Sequence, residues 1–506
     1  MKMEAMLISL GDQFNHITRN TVIIGFAFLC LYSAFNAVAN TSELVLNSYQ
    51  ATHADSSFGY GFGYTTLMLF NIFFALGPFV APFLVRVLLD KISLLVASVS
   101  FVLYTASFIQ PNVYVLYVAT SLSGVCTSLL WVAGFNLITC SCASGSGTEL
   151  EANSTLFWLI AQFSYLFGNG VLFFTFYEVD RISDSTRYLT MSILTVSALI
   201  GTCLFFLAKQ PYTSEKLSHR ISKGATTSVQ TVTETIRLLS DFKAILLIVP
   251  YLYTGVNQSF FMGIYGACLG QTGYFGRDAY WLAGISGIFI GIGQIVAALF
   301  RILFSRLDFY RHRSQNYFFK LIYIFIAVSV SSLCSLLIFL FLPDKSPIGK
   351  TDEQSIFLPN KIIAILCSFM LGFADCLFQT EILNVIGAKF NKSTPSAMAM
   401  YSFFQAIGGV FVFFYTNHLS FGLRIQVSIM ATGCFLSLIV FCIIAKCKNE
   451  ETEEEMKEKG IEFTENSSLN NLWKQLNSSD EQKDEFDEGK LPQDNFKQNN
   501  ILSFDC

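Results

Sequence analysis

The sequence predicts an all-α, multi-pass membrane protein whose twelve transmembrane helices form two six-helix bundles. Three observations carry that prediction. Only 13% of the 506 residues are charged and 53% belong to the hydrophobic set, whereas a soluble domain carries about 25% charged residues. The 52 Phe would leave large apolar patches on any water-facing surface. Twelve segments are apolar over the length a membrane helix needs, about 20 residues, and one long polar stretch divides them six and six. Lipid is therefore the solvent for most of the chain, and an ordinary soluble enzyme is excluded.

In chain order the spans read as 20–39, 60–87, 92–109, 113–139, 155–177 and 188–207 in the first half. The second half reads as 244–269, 281–304, 317–342, 362–386, 396–415 and 423–445. The first of these follows a 19-residue start containing Glu4 and Asp12, and it is long enough to span, so it reads as a permanent helix rather than a cleaved signal. Lys and Arg concentrate in alternate loops. With the N-terminus inside, the inner segments carry 17 and the outer loops 6, which places both termini in the cytoplasm. Composition alone is equally compatible with the plasma membrane and an endomembrane.

The resulting organisation is a cytoplasmic N-terminus at 1–19, a first bundle at 20–207, a cytoplasmic linker at 208–243, a second bundle at 244–445 and a tail at 446–506. The tail holds 16 Asp and Glu against 8 Lys. Its run Glu450-Glu451-Thr452-Glu453-Glu454-Glu455 buries too little apolar surface to fold alone, so a disordered, solvated tail is expected, with some helix after the last span as the alternative.

A duplication is legible between the halves. Leu31-Tyr32-Ser33-Ala34-Phe35-Asn36 in the first span matches Leu252-Tyr253-Thr254-Gly255-Val256-Asn257 in the seventh. Gly124, Leu129 and Asn136 in the fourth fall at the spacing of Gly372, Leu377 and Asn384 in the tenth. Duplicated membrane halves place binding sites near the midplane, between the repeats.

An ionisable side chain inside a bilayer costs roughly 2.5–3.5 kcal/mol on insertion scales, which makes Asp375 the leading candidate. Gln379 lies one turn further on the same helical face and can hydrogen-bond to it. Embedded amides complete the candidate cavity: Asn36, Asn136, Gln162, Asn257, Gln294 and Asn384, together with Asp375 and Gln379. Amides bind polar solutes, and they also hold helices together. No Lys or Arg stands at a span centre as placed above, which argues against a strongly anionic ligand.

Other motifs fail on context. Gly291-Ile-Gly293 lies inside a lipid-length helix rather than after a strand, so it reads as close helix packing and not a nucleotide loop. Cys140-Ser-Cys142 lacks a metal-ligand set, and the five His are scattered. No catalytic residue, cofactor or metal is expected. The bilayer is the expected partner, and nucleic acid is not. Of the Asn-x-Ser/Thr sequons, at Asn40, Asn153, Asn257, Asn391, Asn466 and Asn477, only Asn40 faces outward in this topology, and it is the expected glycosylation site.

Twelve spans in two halves resemble the major facilitator superfamily. More specifically, the stretches Tyr253 to Gly270, Gly284 to Gln294 and Ala364 to Asp375 are similar to the Unc-ninety-three-like branch, nearest its major facilitator domain-containing members. The resemblance covers roughly residues 20 to 445. It implies a facilitator-type two-bundle fold, and relatives that act as partners of other membrane proteins, regulating a potassium channel or escorting receptors. The superfamily's gating signature survives only in fragments, at Gly77, Arg86, Asp90 and Lys91 and again across Ser305 to Arg313. That decay points away from active transport. Two expectations follow: a regulator or escort of another membrane protein, such as a channel or receptor, and, as the alternative, a facilitator of a neutral or weakly cationic small solute.

Overall fold

A computed structural model describes residues 2–53, 58–59, 61–141, 147–179, 181–209, 233–310, 317–390 and 393–458. Among these described residues, twelve helical segments are long and apolar enough to cross a membrane. Those of the first half are α1 (Lys2–Thr52), α2 (Phe62–Leu88), α3 (Asp90–Ser107), α4 (Val113–Ser141), the pair α5 (Gly147–Gln162) and α6 (Ser164–Thr175), and α7 (Asp184–Leu207). The second half begins with α8 (Phe242–Ser259), which passes through a π turn, Phe260–Ile264, into α9 (Tyr265–Gln271). It continues with α10 (Ala279–Tyr310), α11 (Tyr317–Phe341), α12 (Lys361–Lys389), α13 (Thr394–Asn417) and α14 (Leu423–Glu458).

Local chemistry sets several of these boundaries. Ser183, Asp241 and Asn360 cap the helices that follow them by accepting from Thr186 N, Lys243 N and Ile362 N, so orphan amides at the starts of α7, α8 and α12 are satisfied. The second span tolerates Pro78 and Pro82 inside it, as membrane helices packed among neighbours can. At the far side, Gly273 N donates to Thr351 O and Thr351 N donates to Gln271 O, pinning the loop before α12 to the end of the seventh span.

Two corrections to the spans matter for the site. The first span runs on to Thr52, because Glu43 is buried among matched donors: Asn47 Nδ2 at 2.8 Å, Gly61 N at 3.1 Å and Tyr64 N at 3.3 Å. And α14 continues to Glu458, so the helix of the last span extends into the start of the acidic tail, the alternative the sequence left open. Extending a formed helix needs no new nucleus, and Glu is a good helix former. Residues 459–506 and linker residues 210–232 lie outside the described residues.

The described residues up to Phe441 form one compact unit that holds both bundles. In the N-terminal bundle α1 packs on α5, α6 and α7, while α4 packs on α2 and α3. An aromatic cluster of Phe28, Tyr32, Phe101, Trp131 and Phe157 fills its interior. In the C-terminal bundle α12 packs on α10 and α11, and α13 packs on α8. The bundles meet where α2 touches α13, α6 touches α10, and α1 touches the π turn and α9. Side chains such as Val118, Phe174, Leu303 and Phe411 stay exposed on the outer surface, where acyl chains replace water as their surroundings.

Candidate functional site

The centre of the C-terminal bundle is built by close backbone approach. A Cβ at Gly372 would lie 2.0 Å from Ile290 O, and one at Gly293 would lie 2.2 Å from Phe369 O. Only glycine lets α10 and α12 come this close, and dense packing of this kind is what holds helices together in lipid. The approach sets Gln294, on α10, against Asp375, on α12.

Asp375 is 1% exposed. Three amides converge on its carboxylate: Asn257 Nδ2 donates to Oδ1 at 3.2 Å, Gln379 Nε2 to Oδ2 at 2.8 Å, and Gln294 Nε2 to Oδ2 at 3.5 Å. Charge-assisted bonds of this kind replace part of the hydration the carboxylate loses on burial. All three donors belong to the C-terminal bundle. The N-terminal bundle reaches this level through Tyr165, whose Cβ would stand 2.7 Å from a Cβ at Gly291.

Of the eight candidate cavity residues, the structure thus gathers Asn257, Gln294, Asp375 and Gln379. The other four lie elsewhere. Asn36 donates to Ser164 Oγ at 3.4 Å, although Asn36 and Asn257 occupy equivalent places in the two halves. Asn136 donates to Asp90 Oδ1 at 2.7 Å, and Asn384 reaches Glu381 at 3.4 Å. Gln162 stands half-buried beside the break at Phe163 that divides α5 from α6.

Asn40 requires a correction. It is buried rather than outward-facing, and its amide nitrogen donates to Asn169 Oδ1 at 2.8 Å and to Ala283 O at 2.9 Å. Both N–H groups are engaged inside the protein, which leaves no room for a glycan there. The contact to Ala283 links the two bundles. Tyr64 Oη, donating to Pro347 O at 2.8 Å, and Asn417 Nδ2, donating to Thr65 Oγ1 at 2.7 Å, cross the interface at the same end. That end carries Thr52 and Phe341, opposite Arg19 and Lys389.

Sequence reasoning missed two charged groups inside the spans. Glu43 fell just beyond the expected end of the first helix. Arg301 was counted as a loop residue, yet it lies within α10 and pairs with buried Glu381 at 2.9 Å. Six residues separate Glu381 from Asp375, and the two acids take different partners. The signal for Arg301 was the apolar run on either side of it, Ala298-Leu-Phe and Ile302-Leu-Phe.

The fold and its enclosed polar centre define a two-bundle, facilitator-type, multi-pass membrane protein. The family model described as "Ion channel regulatory protein UNC-93" matches residues 59–442, and the chain belongs to the UNC-93 family. It is 30% identical over 441 residues to the UNC93-like protein MFSD11 of Xenopus tropicalis, covering 84% of this chain and 95% of that protein. It is 22% identical over 450 residues to protein unc-93 homolog A of Homo sapiens, covering 81% and 89% respectively. Among solved structures, it resembles the POT family transporter PepTSo with a TM-score of 0.61 at 10% identity, over 85% of this chain and 98% of that one. The nucleoside transporter NupG gives 0.57 at 13% identity, over 84% and 98%. At such low identity these likenesses show the fold alone.

Proposed function

We propose that this protein regulates or escorts another membrane protein, a channel or a receptor, with both of its own termini in the cytoplasm. The observation that carries the reading is the enclosure of Asp375. A solute-binding acid has to be reachable from a cavity, whereas this one is buried and held by three amides of its own bundle. The family model's description, an ion channel regulatory protein, supports the same direction. Facilitator architecture then supplies two rigid bundles whose relative position a partner can read.

Capture from native membranes, using the full chain cross-linked before solubilisation, tests the reading. It expects a channel or receptor in stoichiometric complex, with the partner's surface level or current changed when this chain is removed. A chain that purifies alone, with no effect on any co-expressed channel or receptor, sinks it. A second reading, facilitation of a neutral or weakly cationic solute, is favoured by the fold shared with the peptide and nucleoside transporters.

A further inference from the structure

The last span leaves an open groove of about 580 Å³ on the surface of the C-terminal bundle, walled by Phe339 of α11 and by Ile425, Ile429 and Leu436 of α14. Those three aliphatic side chains are exposed, and Gly433 adds no side chain to fill the space between them. From residue 424 to residue 436 the helix rises about 18 Å, slightly more than half of a hydrocarbon core of roughly 30 Å. The groove therefore has the length of one leaflet.

Its body and its mouth differ in chemistry. Along the body, Ser428 Oγ donates to Arg424 O and Thr432 Oγ1 to Ser428 O, each at 2.8 Å, so both hydroxyl protons stay within their own helix. The mouth, at the end of the molecule that carries Phe341, holds Arg424 in the first turn of α14. Asp344 caps that turn, its Oδ1 accepting from Arg424 N at 2.8 Å and its carbonyl from Leu423 N at 2.7 Å. Among the described residues no Asp or Glu forms an ion pair with the Arg424 side chain. The guanidinium carbon lies 5.5 Å from the centre of the Phe339 ring, a cation–π contact that keeps it beside the groove. Its Nε is buried and has no hydrogen-bond partner, and an unpaired buried donor costs about 1–3 kcal/mol.

We infer that this groove binds one glycerophospholipid of the leaflet at that end, with an acyl chain along α14 from Ile425 to Leu436 and the phosphate on the Arg424 guanidinium. Paired phosphate oxygens match the planar donor fork of arginine, and basic groups between membrane helices are recurrent sites for lipid head groups. An acyl chain needs only contact along the groove. A partner helix would draw part of its hold from interhelical hydrogen bonds, and the hydroxyl protons that would serve it are already donated. The assignment goes beyond the regulatory reading and depends on neither a protein partner nor Asp375.

Native mass spectrometry of the delipidated full-length chain tests it. Dioleoyl phosphatidylglycerol and dioleoylglycerol, which share their acyl chains and differ in the phosphate head, are titrated separately. The site predicts one saturably bound phosphatidylglycerol, held about tenfold or more tightly than the diacylglycerol. Arg424→Gln weakens the phospholipid by a similar factor, Ser428→Phe fills the groove and removes the saturable class, and Lys350→Gln in the loop before α12 changes neither. Glycerol phosphate, a head without chains, does not compete at equal concentration. In native membranes, a benzophenone photo-crosslinker placed at Ile429 captures phospholipid. Equal retention of the two lipids, or phospholipid binding that survives both Arg424→Gln and Ser428→Phe, overturns the assignment. So does competition by glycerol phosphate, which would mark a free-phosphate site, or capture of a polypeptide at Ile429, which would give the groove to a partner helix. Because the wild-type comparison of the two lipids decides by itself, poor folding of a variant leaves the test intact.

Discussion

The Asn40 amide nitrogen donates to the Ala283 carbonyl oxygen at 2.9 Å, tying the first span of one bundle to the eighth span of the other. With Tyr64–Pro347 and Asn417–Thr65 it closes the same end of the molecule. Asn40→Ala removes the donor and leaves Ala283 O and Asn169 Oδ1 without it, a cost of about 1–3 kcal/mol at a buried site. The native thiol of Cys268, fully buried on the seventh span close to this seam, reports the change. Its labelling by a membrane-impermeant thiol reagent should rise several-fold in Asn40→Ala, measured against Cys268→Ser as the blank. Equal rates in wild type and variant would show that the bond does not hold the end shut.

The same geometry makes a prediction about modification. Since both Asn40 N–H groups are engaged, the sequon there stays unmodified. Enzymatic deglycosylation should therefore leave wild type and Asn40→Gln with the same electrophoretic mobility. A glycan mapped to Asn40 by mass spectrometry would contradict the burial.

Two glycines of α12 should behave oppositely. Gly372→Ala drives a methyl into the Ile290 carbonyl, and overpacking against backbone costs about 3 kcal/mol or more. Gly387→Ala meets nothing within 4 Å, and replacing a helical glycine stabilises by roughly 0.5–1 kcal/mol. Thermal melts of the two variants in detergent should move in opposite directions.

Arg301 and Glu381 should be more tolerant of joint than of separate removal. Arg301→Met leaves Glu381 buried without that partner, at a cost of about 3–5 kcal/mol, while the double change Arg301→Met with Glu381→Leu removes both charges and recovers most of it. A double-mutant cycle on melting temperature measures the coupling. Additive single effects would mean that the pair seen at 2.9 Å contributes nothing.

The spans were legible because apolar runs of membrane length are separated by polar loops, and most begin and end within a few residues of the helices, the main departures being α5, which starts at Gly147, α10, which runs to Tyr310, and α14, which runs to Glu458. The first was cut short at Ala39, since Asn-Thr-Ser-Glu reads as a loop until the donors from Gly61 and Tyr64 are known. Asp375 and Gln379 were legible as a pair because one helical turn separates them. That Asn257 and Gln294 complete the site was not, because they lie 118 and 81 residues away in sequence and only the packing of α8, α10 and α12 brings them in. The same reason hid Arg301 with Glu381. Local sequence shows that a polar group is inside the membrane, and tertiary packing decides what it touches.

Reconstituting the purified chain into proteoliposomes and measuring uptake across neutral and cationic solutes tests the central claim most directly. A protein that regulates other membrane proteins, with Asp375 enclosed, predicts no saturable uptake of any solute in the panel. Saturable uptake by wild type that disappears in Asp375→Asn would contradict the account and establish a transporter.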